Sequence, residues 1–238
     1  VAAYRPRGFS GRLRRRIGYN ISCEHDKGLC RGFTGGWAAV MTLLRSRLAT
    51  FSPAPRPEKY HSRADAAVLV LIRQGLTPSL ILTVRASNLS SHAGEVSLPG
   101  GKRDPGDANL AATALRETVE ELGIAVDQLE LIGALPGLIS KHGLWVTPFV
   151  GVMPEAVELK ANIDEVGAVF EVPLAWLAKD LRVGTERLAR QGEVQMAPIY
   201  EYQGHRIWGL TALILLDFLT VALTPEVGAQ CLDSPKNN

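Results

Sequence analysis

The stretch 114–123 reads ALRETVEELG and gathers Glu117, Glu120 and Glu121 around a single cation, Arg116. Residues three and four apart share a helical face, where like charges repel by roughly 0.2–0.5 kcal/mol per pair. At about 100° per residue, Glu117 and Glu121 lie about 40° apart, with Glu120 about 60° to the other side of Glu117. Leu115, Val119 and Leu122 form the expected core stripe, and the three carboxylates are expected to project away from it. Clustered hard oxygens suit Mg2+ or Mn2+, which take carboxylates, waters and phosphates as ligands and would remove the repulsion. On the helix alone, a solvated acidic face is the commoner meaning of such a run.

The preceding loop shifts that balance. LPGGKRDPGD (98–107) sets glycines and a turn directly before the helix, where close backbone approach lets a peptide carbonyl join a metal site. The whole segment, GGKRDPGDANLAATALRETVEELGI, resembles the Nudix box, G-x5-E-x7-R-E-U-x-E-E-x-G-U with U a bulky aliphatic residue. Gly101, Arg116, Glu117, Val119, Glu120, Glu121, Gly123 and Ile124 match, with Thr118 at the first aliphatic position. Asp107 stands where Glu is usual, and the interval from Gly101 to Arg116 is one residue longer than the common pattern. Just upstream, ILTVRASNLSSHAGEVSLPGG is similar to a second signature, found in Nudix enzymes that cleave coenzyme A, approximately L-L-T-x-R-[SA]-x3-R-x3-G-x3-F-P-G-G. Leu82, Thr83, Arg85, Ala86, Gly94, Pro99, Gly100 and Gly101 match it, while Ser90 replaces the second Arg and Leu98 the Phe.

This resemblance extends through 164–177 and 205–212 and covers about residues 41–223. It implies an α+β fold, a Nudix α/β/α sandwich with a mixed sheet, and hydrolysis of compounds in which a diphosphate joins two moieties. By the same resemblance Glu117, Glu120 and Glu121 are metal ligands for Mg2+ or Mn2+, the Gly101 carbonyl joins them, and Arg116 orients the glutamates. A general base often comes from a later loop, and Glu165 fits that place, with a solvated loop carboxylate as the equal alternative. Arg85, Gly100 and Gly101 are the expected substrate contacts, Arg85 being the cation left for a 3′-phosphate once Ser90 replaces the other Arg. His92 and His142 are weaker candidates. Trp145 and Trp208 are candidates for stacking on a base, although core packing is the more common fate of such residues.

The implied activity is cleavage of coenzyme A or its thioesters to 3′,5′-ADP and 4′-phosphopantetheine or its acyl form. Rivals are broader housecleaning of ADP-ribose, dinucleotides or oxidised nucleoside triphosphates, and a nucleotide-sensing module without turnover. The expected partner is a small-molecule nucleotide diphosphate, and a homodimer is compatible with the chain.

The remaining sequence must position these groups. Residues 66–72 (AAVLVLI) form a continuous apolar run expected to be a buried strand, with 79–85 (SLILTVR) as its hairpin partner. A loop is expected over 87–106 and a helix over 107–122, ended by Gly123 as a left-handed cap. Strands are expected at 129–135, 145–153 and 168–172, a short helix at 173–179, and a hairpin at 199–208 turning on Gln203 and Gly204. Residues 41–51 read as an amphipathic first helix and 210–223, interrupted by Asp217, as a buried closing helix.

Net charge separates two regions of the 238-residue chain. Residues 1–40 hold a net +6 and residues 41–238 a net −4, so the body is mildly acidic and nucleic acid is not the expected partner. The basic stretch 1–40 is read as an extension or a misassigned start, superficially like a transit peptide, before a domain spanning 41–238. Cys23, His25 and Cys30 lack a fourth ligand at a zinc-site spacing. Without a disulfide framework a reducing compartment is expected. No apolar run reaches the roughly 18–20 residues of a membrane span. The C-terminus lacks the S-K-L peroxisomal address, and the cytoplasm is the expected location.

Overall fold

A computed structural model describes residues 36–87, 94–190 and 193–223. Cys23, Cys30, Ser90, His92 and Cys231 lie outside the described residues, as does the basic stretch except its last five residues. Those five open the first helix, α1 (Gly36–Thr50), which therefore starts before Met41. Val40, Leu44 and Leu48, four apart, are its buried stripe.

The centre of the fold is a mixed sheet. β1 (Asp65–Arg73) is its middle strand, because its apolar run has nothing to show to water on either side. It pairs in parallel with β7 (Trp145–Met153) from Asp65↔Trp145 to Arg73↔Met153. It also pairs antiparallel with β2 (Ser79–Arg85) at Ile72↔Leu80 and Arg73↔Ser79, closing the expected hairpin. Two short strands, β3 (Val96–Ser97) and β4 (Gly100–Lys102), occupy the stretch read as loop, pairing with β2 and β1 respectively. β5 (Glu130–Ala134) and β6 (Leu138–Ile139) flank β7, and β8 (Val166–Pro173) runs along β2.

Alternation along β1 divides the core into two layers. Val70 and Ile72 face α1 and the closing helix α4 (Gly209–Phe218), whose Ile214, Leu215 and Phe218 are buried with them. Ala67, Leu69 and Leu71 face α2 (Leu110–Leu122) and pack with Ala114 and Leu122. Helices thus cover both faces of the sheet, and the sandwich is the expected α+β architecture.

Beyond β8, Pro173 caps the short α3 (Leu174–Leu177). The chain then forms a separate three-stranded antiparallel sheet, β9 (Arg182–Arg190), β10 (Glu193–Tyr202) and β11 (His205–Ile207), ordered β11-β10-β9. Its β10–β11 turn is Gln203-Gly204, with φ of 49° and 81°, as the sequence predicts.

The face of α2 differs from expectation. Ala114, Thr118, Glu121 and Leu122 are buried, whereas Leu115 and Val119 are only half-buried. The face that α2 turns to β1 and β4 carries Ala114 and Thr118 alongside Leu122 and Glu121. Glu121 therefore points into the interface, and the expectation that all three glutamates project away from the core is corrected for that residue.

Candidate active site

Asn109 starts α2 by accepting a hydrogen bond from the Ala112 amide, at 2.9 Å, which satisfies one of the free N–H groups of the first turn. Gly123 ends it at φ 64°, and its neighbours fix the far end: Lys160 N–H donates to the Leu122 carbonyl and Asn162 N–H to that of Glu121. The helix is held at both ends, so its carboxylates have a defined position over β4.

Glu121 is 5% exposed. The Gly100 amide hydrogen-bonds to its carboxylate, while Oε2 is buried with no hydrogen-bond partner. Burial, with the neighbouring charges of Glu117 and Glu165, pushes its pKa up to about 8, against an opposing pull from Arg85. Glu117 lies one turn earlier, and burial raises its pKa as well. The approach of Gly101 to this side chain is very close: a Cβ there would sit 2.4 Å from the carboxyl carbon of Glu117. Only glycine permits that contact.

Arg116 ties the remaining acids together. Its Nε and Nη2 donate to the two oxygens of Asp107 at 3.0 and 3.1 Å, its Nη2 to Glu117 at 2.9 Å, and its Nη1 to Glu120 at 2.9 Å. Asp107 also accepts from the Asp104 amide and the Thr113 hydroxyl, so its carboxyl is held well below the usual carboxylate range. Glu120 is half exposed and sits at the rim, on the opposite side of Glu117 from Glu121. Glu165, in the loop before β8, is exposed, accepts a hydrogen bond from Asn162 at 3.3 Å, and raises the pKa of both Glu117 and Glu121 by its charge. Arg85, the last residue of β2, stands by Glu121, and its Nε is buried without a hydrogen-bond partner.

The structure therefore brings Glu117, Glu121, Gly100, Gly101, Arg85 and Glu165 to one place, with Arg116 and Glu120 at its edge. Asp107, in the sequence only a departure from the Glu of the box, is the anchor of Arg116. His142 lies in the β6–β7 turn. Trp145 packs on Tyr60 with ring centroids 5.4 Å apart, and Trp208 lies under Arg206 at 5.8 Å. A groove of about 270 Å³ beside Trp145 reaches Leu110, at the far end of α2 from Glu121.

Residues 62–189 match the NUDIX domain. The chain belongs to the Nudix hydrolase family. A protein described as uncharacterised Nudix hydrolase NudL from Photorhabdus laumondii is 40% identical over 163 residues, covering 68% of this chain and 87% of that protein. A protein of the same description from Salmonella paratyphi B is 40% identical over 174 residues, covering 71% and 91%. The NUDIX hydrolase of Alicyclobacillus acidocaldarius aligns in structure with a TM-score of 0.42 at 18% identity, over 73% of this chain and 99% of that one. As a Nudix hydrolase the protein is an enzyme that acts on diphosphate bonds, and members of the family generally use divalent metal ions. Among the described residues, no helix is long and apolar enough to cross a membrane.

The side chains present fit a hard divalent cation. Among the described residues no three His, Cys, Asp or Glu side chains converge into a ready-made cluster. Mg2+ does not require one, since it keeps several waters and binds through one or two carboxylates plus substrate phosphates. The unpartnered buried Oε2 of Glu121, with Glu117 beside it, supplies that donor set.

Proposed function

We propose that this Nudix hydrolase is a Mg2+- or Mn2+-dependent pyrophosphatase acting on coenzyme A or its thioesters, releasing 3′,5′-ADP and 4′-phosphopantetheine or its acyl form. The observation that carries the reading is Arg85, a matched residue of the coenzyme A signature, beside Glu121 with a buried and unpartnered Nε. A guanidinium there meets a diphosphate with charge-assisted hydrogen bonds.

Glu117 and Glu121 would hold the ion, with Glu120 at the rim and the Gly101 carbonyl adjoining. When bound, the ion supplies Lewis acidity, lowers the pKa of a water and offsets phosphate charge. Hydrolysis adds one water across the P–O–P bridge: an oxygen–phosphorus bond forms on one side, and the bridging oxygen leaves with the other. Glu165 would accept the proton of the attacking water. Arg116 does not touch the reacting atoms in this reading. It fixes Glu117 and Glu120 against the Asp107 anchor.

A substrate panel run with Mg2+ and with Mn2+, resolving both products, tests the reading. Coenzyme A is expected to give 3′,5′-ADP and 4′-phosphopantetheine and to be turned over faster than ADP-ribose, dinucleotides or oxidised nucleoside triphosphates. Faster hydrolysis of ADP-ribose than of coenzyme A would instead assign the protein to nucleotide housecleaning.

A further inference from the structure

The charge of Arg85 acts on Glu121, and in the function proposed above Arg85 is taken up by the substrate diphosphate. A nucleotide with an additional phosphomonoester on its ribose then needs a second cation, displaced from Arg85 toward the mouth of the site. The ladder next to Arg85 supplies the place. Thr83 pairs with Ser97 and Val84 with Val96, and the Arg85 amide donates to the Glu95 carbonyl at 3.0 Å. Thr83 Oγ1 touches Ser97 Oγ at 2.9 Å, so that cross-strand pair shares a face. Beyond that pair the Arg85 carbonyl accepts from the Gly94 amide at 3.0 Å, so Gly94 and Glu95 stand together opposite Arg85 as a bulge that ends the ladder.

Glu95 leads to the cation. Its carboxylate pairs with the Nζ of Lys141 at 3.6 Å. Lys141 is at the tip of the β6–β7 turn, whose base is tied by Ser140 N–H to the Leu144 carbonyl, at 2.9 Å, and by Leu144 N–H to Ser140 Oγ, at 3.0 Å. A lysine on a braced tip is thus brought across to the strand beside Arg85. The pair is loose, with side chains 53% and 33% exposed, and ion pairs of this exposure are weak. A phosphate dianion, with more charge and more acceptor oxygens than one carboxylate, displaces Glu95 readily.

We propose that Lys141 is the cation that binds a ribose phosphomonoester of the substrate, with Glu95 holding its ammonium in the free enzyme. The assignment rests on the coenzyme A reading for the identity of that phosphate, and it divides the two anionic groups between Arg85 and Lys141.

Calorimetric binding of 3′,5′-ADP and of 5′-AMP to the full chain tests it, since these differ by that one phosphate. The unaltered protein is expected to bind 3′,5′-ADP about tenfold or more tighter, the usual worth of a charge-assisted hydrogen bond. Lys141→Ala should close that gap, Lys141→Arg should keep most of it, and Arg85→Ala should weaken both nucleotides together. Glu95→Gln, which removes the competing anion, should tighten 3′,5′-ADP. An undiminished gap in Lys141→Ala overturns the proposal, as does equal binding of the two nucleotides by the unaltered protein. A gap that depends on Lys141, in a protein that fails to hydrolyse coenzyme A, would sink the substrate assignment while the phosphate subsite stands.

Discussion

The guanidinium of Arg116 clasps both carboxylate oxygens of Asp107, with Nε 3.0 Å from one and Nη2 3.1 Å from the other. The two residues are nine positions apart, and the contact forms because the Asp104–Asp107 turn folds back on α2. Fork-to-fork geometry fixes direction as well as distance, so Arg116 meets Glu117 and Glu120 from a set position.

Asp107→Asn should therefore loosen the whole arrangement. A lower melting temperature at neutral pH and a reduced kcat are expected, measured by thermal unfolding and steady-state kinetics. The sign of the pH dependence is fixed by the depressed Asp107 pKa. Its stabilisation is present above the ordinary carboxylate pKa of 3.8 and is lost as pH falls below it. The variant should accordingly show a shallower acid limb. An unchanged acid limb would mean that the Arg116 clasp contributes nothing to the fold.

Gly101→Ala tests the cradle for Glu117. The added Cβ would lie 2.4 Å from the Glu117 carboxyl carbon, so the carboxylate must move. Misplacing a catalytic group by about 1 Å can cost about 10²-fold in rate, and a loss of about that size in kcat/KM is expected. Wild-type kinetics in this variant would show that the position of Glu117 does not matter to turnover.

The three glutamates should separate by environment. Glu121→Gln and Glu117→Gln are each expected to lower kcat by about 10²-fold or more, as removal of a transition-state electrostatic contact does. Glu120 is half exposed and engaged by Arg116, so Glu120→Gln should cost less. Rates at saturating Mg2+ decide this, and a larger loss at Glu120 than at Glu121 would reverse the assigned order.

Much of this arrangement is legible in the sequence, and the exceptions have physical causes. The strand 145–153 is read with its observed ends because an apolar β-branched run buried on both faces has no competing pattern. The core face of α2 is misread because hydrophobicity ranks Leu115 and Val119 above Ala114 and Thr118. The face that packs on β1 and β4 instead buries Ala114 and Thr118 together with Leu122 and Glu121. Strand β9, RVGTERLAR, escapes because it lies in an outlying sheet and its charged residues, Arg182, Glu186, Arg187 and Arg190, leave no apolar run to mark it. The Asp107–Arg116 clasp depends on how a loop folds back, and side-chain type alone does not specify that.

Gly123 is one position where sequence and structure agree on a backbone need. Its φ of 64° is the left-handed conformation, and a Cβ would lie 2.5 Å from the Lys160 carbonyl oxygen. Gly123→Ala should destabilise the protein by about 1–3 kcal/mol, the usual cost of a strained non-glycine backbone. Chemical denaturation measures this. A neutral result would show that the loop through Lys160 can move away without loss.

Glu121 has its pKa raised from 4.5 to about 8 in the metal-free fold, chiefly by burial. The folded chain then binds this proton more tightly than the unfolded chain does. Its contribution to stability is full below about pH 4.5 and is lost as pH rises through about 8. Melting temperatures in a chelator should fall across that window, and Glu121→Gln should flatten the slope. A divalent ion requires the ionised carboxylate, so its stabilising effect should grow as pH rises, following mass action. Melting curves from about pH 5 to about 9, with chelator and with millimolar Mg2+, compare the two directly. A metal-free profile that does not fall in this range, or a Mg2+ shift equal at both ends, would show that Glu121 is ionised throughout and does not take up the ion as proposed.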